Sequence, residues 1–160
     1  MRKSPRIAGF DYANTGTYFV TICTRNMERR FGDVVSIGMV LNEAGTMIAS
    51  IWGTNADRFP GLALDMSIVM PNHIHAIVHV GANSSITIEN SSITLLIQTF
   101  KSLTTLEYGK GVRESKYPSY DRSLWQRSFY DRMLRSDEEI EIARRYIDGN
   151  PGRWFERHAV

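Results

Sequence analysis

Apolar positions along the chain fall into two kinds of repeat, one alternating as in a strand and one spaced as in a helix. Tyr18-Phe19-Val20-Thr21-Ile22-Cys23-Thr24 is rich in aromatic and β-branched residues and predicts a strand. Val34-Val35 and Met39-Val40-Leu41, around Gly38, predict a hairpin appended to it. Ala44, Met47, Ile48, Ile51 and Trp52 follow at helical spacing, with Asn42 as N-cap and Gly53 as a stop. Leu64, Met66, Ile68 and Met70 then alternate with Asp65, Ser67 and Val69 as a second strand. Pro71-Asn72 is a turn signal, and residues 73–80 read as a third strand. After a polar, low-complexity loop over 81–92, Ile93, Leu96, Ile97, Phe100 and Leu103 restart the helical period. A basic connector over 109–120 leads to a fourth strand, Leu124 to Tyr130. Ser136-Asp137-Glu138-Glu139 is a capping box that opens a last helix running to about Gly149, with Pro151 as its stop.

The order β-α-β-β-α-β plus a C-terminal helix predicts an α+β domain of the ferredoxin-like plan, an antiparallel sheet with both crossover helices on one face. Its first and third strands are then central, and the other face is open for binding or chemistry. Neither an internal repeat nor an interdomain linker interrupts the pattern, so residues 1–160 read as one domain.

The third strand carries the most chemistry. Ile74, Ala76, Val78 and Val80 form a wholly apolar row, while His73, His75, Ile77 and His79 form the opposite one. Imidazoles two residues apart on a strand sit roughly 6–7 Å apart along the chain and can incline toward a single cation. The spacing fits such a ligand pair and a merely decorated half-exposed strand about equally well, and His79 reads as structural. Two histidines leave a metal shell incomplete; a third ligand such as Asn, Gln, Asp or Glu would suit Mg²⁺ or Mn²⁺ and leave room for substrate oxygens.

On the last helix Ile140, Ala143 and Ile147 make the apolar stripe, and Tyr146 lies beside it. Asn150 follows Tyr146 at i+4, so the two can point into one site. Taken alone, Tyr146 reads as a packing aromatic with a wet hydroxyl. Beside a metal-bound phosphate, a tyrosine is also a competent nucleophile.

Composition narrows the classes. Of 160 residues 42% are hydrophobic and 22% charged, ordinary globular usage. The apolar runs are far shorter than a membrane span needs, and the basic start Met1-Arg2-Lys3-Ser4-Pro5-Arg6 lacks the apolar region of a secretory signal. Cys23 is the single cysteine, which excludes a disulfide framework and a thiolate zinc site. A soluble, cytoplasmic protein without membrane contact is the expectation. Residues 1–30 hold six Lys/Arg against two Asp/Glu, and residues 101–135 hold eight against four. Should these stretches meet in space, they would offer a polyanion a positive surface.

Met70-Pro71-Asn72-His73-Ile74-His75 resembles the HUH motif (His, hydrophobic, His) of single-tyrosine transposases. Leu124-Trp125-Gln126-Arg127-Ser128-Phe129-Tyr130-Asp131, then Arg135, then Tyr146-Ile147-Asp148-Gly149-Asn150-Pro151 are similar to the Trp-Gln-Arg and Tyr-Ile-x-x-Asn-Pro blocks of that family. The early strand fits as well. The family is the insertion sequence 200/605 type, and the resemblance is greatest to REP-associated tyrosine transposases. It implies a metal-dependent single-strand DNA endonuclease and strand transferase working through a 5′-phosphotyrosine intermediate. It implies His73 and His75 as metal ligands, Asn150 as the polar third ligand and Tyr146 as the nucleophile. A divalent metal, Mg²⁺ or Mn²⁺, is the implied cofactor, and single-stranded or hairpin DNA the implied partner. Many members of the family are dimers, which makes a homodimer one expectation and a monomer the other.

Gln98, Lys101, Arg122, Arg127 and Arg132 are candidate DNA contacts, with Arg113, Lys116 and Arg135 further basic candidates, and Trp125 and Tyr130 could stack unpaired bases. Each of them serves equally as packing or solvated surface. Two alternatives stand beside this reading. A non-catalytic nucleic-acid module of the same plan would display aromatics in place of paired histidines on the central strands. An HUH replication or mobilisation nickase would share the chemistry in another process. No Gly-x-Ser-x-Gly, P-loop or dinucleotide fingerprint points elsewhere.

Overall fold

The aromatic and β-branched run at the start of the chain forms β1, Gly16–Cys23. The computed structural model describes residues 16–81 and 92–158, so the polar loop expected over 81–92 lies almost wholly outside the described residues. Next come β4, Leu62–Met70, and β5, His73–Val80, joined at Pro71-Asn72, and later β6, Tyr130–Leu134. With the hairpin strands β2, Gly32–Val35, and β3, Gly38–Leu41, counted in chain order, the main sheet reads β4-β5-β1-β6, antiparallel throughout. The two histidine-facing strands, β1 and β5, are therefore central, as the ferredoxin-like plan requires. The β2–β3 hairpin is a sheet of its own.

Helices α1, Glu43–Asn55, and α2, Ser92–Arg113, cover one face. Ile48 and Trp52 of α1 and Ile93, Leu96 and Phe100 of α2 join Val20, Ile22, Ile74, Ala76 and Val78 in the main core. Asn42 caps α1 as expected, its side-chain oxygen accepting the Gly45 N–H at 2.8 Å.

Three boundaries ahead of the last helices differ from the expectation. Gly53 lies inside α1, exposed, where its missing side chain costs helix propensity but no packing. Gly109 and Gly111 likewise do not end α2: a Cβ at Gly111 would run into the Tyr117 ring, so glycine there permits a close approach of the following chain. The fourth strand spans 130–134 instead of 124–130. Leu124 and Trp125 are neighbours packed into the same core, where alternation would send them to opposite faces, and this segment meets the end of β1 through the isolated bridge Thr24–Trp125. Lys101 takes up the slack, its ammonium donating to the carbonyls of Gln126 at 2.8 Å and Ser128 at 3.3 Å.

The chain then enters α3, Asp137–Asp148, capped by Ser136, whose hydroxyl accepts the Glu139 N–H. The Glu139 carboxylate reaches one residue further back than a capping box requires and accepts from the Arg135 N–H. Pro151 does not stop the chain's helical course. It sits in the first turn of a further helix, α4, Asn150–His158, where its missing N–H is harmless.

The second face of the sheet is only partly open. Ala143 and Ile147 of α3 form a small second core with Phe19, Ile77 and Leu134. Arg144 adds a polar anchor: its guanidinium grips Asp65 of β4, Nη2 to Oδ2 at 2.6 Å and Nε to Oδ1 at 3.1 Å. A bulge between Leu64 and Ser67, one extra residue on β4, accompanies this placement of Asp65. That guanidinium holds the Asp65 carboxyl well below the usual carboxylate range, with His79 contributing further.

Candidate active site

His73 and His75 point from β5 to the face covered by α3, where both are buried, with ring centroids 4.5 Å apart. Alternation accounts for this: their neighbours Ile74 and Ala76 are committed to the main core. Burial pushes the His73 imidazole down to about 4 and that of His75 to about 3, the latter assisted by the charges of His73 and Arg153. Both rings are therefore neutral at physiological pH and keep a lone pair.

Each ring is held from behind. Thr21, directly across the β1–β5 ladder, meets His75 Nδ1 through its hydroxyl at 2.8 Å. Asn72 Oδ1 lies 2.7 Å from His73 Nδ1. His79 repeats the cross-strand pairing with Thr17 at 2.8 Å, but its Nε2 meets Asp65 at 2.7 Å, which makes it part of the anchor beneath α3.

Tyr146 stands on the other wall, its ring centroid 5.5 Å from His75 and 5.9 Å from Phe19 in edge-on contacts. It is 38% exposed and so open to a ligand. The Arg153 guanidinium lies 4.2 Å from the centre of the tyrosine ring and donates to the Tyr146 carbonyl. Asn150 is buried at the head of α4, and its side-chain Nδ2 finds no hydrogen-bond partner among the described residues. Tyr146, His73, His75 and Asn150 thus line one cavity of about 270 Å³, together with Tyr130 and Gln126. A larger cleft of about 490 Å³, beside β4, is mainly apolar and lacks such convergent groups.

Two imidazole nitrogens and one amide oxygen could hold a divalent cation of borderline character. Among the described residues no three His, Cys, Asp or Glu side chains gather, so an ion here would draw on two neutral imidazoles and an amide oxygen. With its Nδ2 unpartnered, the Asn150 amide is free to turn, and its Oδ1 would then supply that oxygen. Cys23, opposite His73 in the ladder, also lines the cavity, but burial pushes its thiol up and away from the thiolate form.

The candidate DNA contacts scatter. Arg132 lies beside the site, its guanidinium 5.5 Å from the centre of the Phe19 ring. Gln98 is exposed on α2, in the helix layer across the sheet, and Arg122 and Arg127 are exposed on the segment before β6; none of the three lines the cavity. Lys101 is engaged with the two carbonyls described above. Trp125 belongs to the core: it is 4% exposed, packs on Phe31 and Phe100, and donates its indole N–H to Thr104 at 2.9 Å. No face of it is open to a base.

The residues missed by the sequence reading come mostly from α4. Trp154, Arg157 and His158 line the same cavity, with the His158 ring stacked on Trp154 at 4.2 Å and Arg29 at 5.3 Å from it. A signal was present, since 146, 150, 154 and 158 repeat at intervals of four. Pro151 hid it by reading as a stop.

Comparison with known proteins agrees with this fold. A solved REP-associated tyrosine transposase bound to a REP hairpin shares the fold, with a TM-score of 0.63 and 18% identity over 96% of this chain and 74% of that one. A candidate transposase from Deinococcus radiodurans R1 superposes with a TM-score of 0.54 at 16% identity, covering 91% of this chain and 97% of its own. An uncharacterized protein of Haemophilus influenzae is 29% identical over 161 residues, spanning 96% of this chain and 89% of that protein. The family described as "Transposase IS200 like" matches residues 42–150, from the cap of α1 to the asparagine beyond the tyrosine helix. By that match the chain belongs to the IS200-like transposase family.

Proposed function

We propose that this transposase cleaves and rejoins single-stranded DNA, with Tyr146 as nucleophile and His73, His75 and Asn150 holding a divalent cation. The observation that carries the reading is the convergence of an accessible tyrosine, two neutral imidazoles and an asparagine amide whose Nδ2 has no partner on one cavity. A divalent ion held there supplies polarisation of a non-bridging phosphate oxygen. The Tyr146 oxygen attacks phosphorus as its proton departs to solvent. The bond to the 3′-oxygen breaks, giving a 5′-phosphotyrosine and a free 3′-hydroxyl. A 3′-hydroxyl then attacks the phosphotyrosine, rejoining DNA and returning the tyrosine; no nucleotide cofactor is needed, because the phosphodiester energy is kept in the covalent link. Arg153 braces the tyrosine from its ring and its carbonyl. The hairpin held by the solved REP-associated relative makes a hairpin with an unpaired flank the natural substrate to try.

The test uses labelled single-stranded oligonucleotides bearing a hairpin, Mn²⁺, and a denaturing gel. Wild type should give a protein–DNA adduct that Tyr146→Phe abolishes while DNA binding persists. An adduct that survives in Tyr146→Phe, or disappears only in Tyr130→Phe, moves the nucleophile and refutes the assignment. Duplex of the same sequence should be cut far more slowly than the single strand.

A further inference from the structure

We propose that Asn72 is a positioning residue that sets the tautomer and ring orientation of His73, taking the Nδ1–H on its side-chain oxygen so that Nε2 carries the lone pair. The inference rests on the reading of His73 as a metal ligand. An asparagine amide can be turned either way about its last side-chain bond. Here the neighbours decide. Asn72 Nδ2 donates to the Met27 carbonyl at 3.2 Å, and a flipped amide would set two carbonyl-type oxygens against each other there. With the nitrogen committed to Met27, the atom 2.7 Å from His73 Nδ1 is Oδ1, which only accepts. The imidazole must therefore donate from Nδ1.

The frame around this pair is heavily determined. The Asn72 carbonyl accepts from the Thr24 N–H at 3.0 Å and from the Thr24 hydroxyl at 3.1 Å. The single Thr24 hydroxyl hydrogen is shared with the nearer Glu28 carbonyl at 2.8 Å, closing the turn that contains Met27. Met27 itself sits at φ 53°, a left-handed conformation that a non-glycine side chain adopts only when its surroundings impose it. That conformation belongs to the turn which aims its carbonyl at Asn72. Asn72 is 7% exposed, so water does not compete for the amide. His75 has no equivalent: the Thr21 hydroxyl can donate or accept, and so leaves that ring's tautomer to its other contacts. Second-sphere acceptors of this kind hold ligating histidines in the required form, and their loss commonly weakens metal binding about 10- to 100-fold.

Nitrogen-15 NMR of the metal-free protein at mildly alkaline pH reads the tautomer directly, with the His73 signals identified by their loss in His73→Gln. Wild type should show His73 protonated at Nδ1 and bare at Nε2. Asn72→Ala should give a mixture of both forms and weaken Mn²⁺ binding, measured by calorimetry, about 10- to 100-fold. Asn72→Asp keeps an oxygen acceptor and should restore the Nδ1–H form. A wild-type ring protonated at Nε2 overturns the proposal without any variant. So does a folded Asn72→Ala that keeps a pure Nδ1–H ring, and, should that variant not fold, so does an Asn72→Asp ring protonated at Nε2. A wild type with the Nδ1–H form that takes up no Mn²⁺ supports the tautomer assignment and counts against the metal reading alone.

Discussion

Trp125 and Lys101 show how a residue suited to nucleic acid can be spent on the fold. Trp125 fills the space between Phe31 and Phe100, so Trp125→Ala should cost about 3–5 kcal/mol of unfolding free energy in a urea titration. A loss of DNA binding at unchanged stability would return it to the interface. Lys101→Met removes the donor from two carbonyls and should cost about 1–3 kcal/mol, with faster proteolysis of the segment ahead of β6. Neither role is legible from sequence, because a tryptophan between Leu124 and Gln126 looks alike in a core and on a binding surface. The histidine row was legible, since an all-apolar row on one side of a strand forces its neighbours to the other. Asn72 was visible only as a turn residue; its amide acquires meaning once Met27, 45 positions earlier, is folded against it.

At the level of elements, α3 carries the tyrosine and must be aimed at the histidines. A small apolar stripe and the Arg144–Asp65 pair fasten it to the sheet. Because the folded Asp65 carboxyl titrates below its unfolded value, the pair's contribution is complete above the ordinary carboxylate range, about pH 4, and is lost as the pH falls through and below it. The gap in unfolding free energy between wild type and Asp65→Asn should accordingly hold constant above about pH 5 and narrow progressively as the pH falls below about 4. A gap that stays constant with pH would remove the ion pair from the anchorage. Element order, strand count and caps were readable, being local. The boundaries went astray where tertiary contacts overrode local signals: Gly111 accommodates Tyr117, and Pro151 opens a helix instead of closing one.

Across the whole molecule, the two basic stretches do meet where they are described. The turn carrying Arg25 and Arg30 bonds to the segment around Pro118, Ser119 and Ser123. Arg30 is buried there among carbonyls and the Tyr108 hydroxyl, so the positive surface is thinner than the residue count suggests. Single-strand binding should weaken with salt, and Arg132→Ala should lower the log–log slope by about 0.7 if that residue meets a phosphate. An unchanged slope would take Arg132 off the DNA path. The sheet order itself followed from the alternation of elements, but alternation misled within β4, where Leu64 and Val69 share the core face although they lie five positions apart, an odd step. The extra residue at the bulge gives the chain one point of slack. Removing Met66 would leave every pairing on both sides in register, so the shortened protein should still melt cooperatively. Removing Val69 instead would turn Ser67 and Ile68 over, one apolar side chain leaving the tyrosine helix for the wrong layer. A chain whose length is fixed nearly everywhere by the pleat of its sheet is, at that position alone in β4, free to lose a residue.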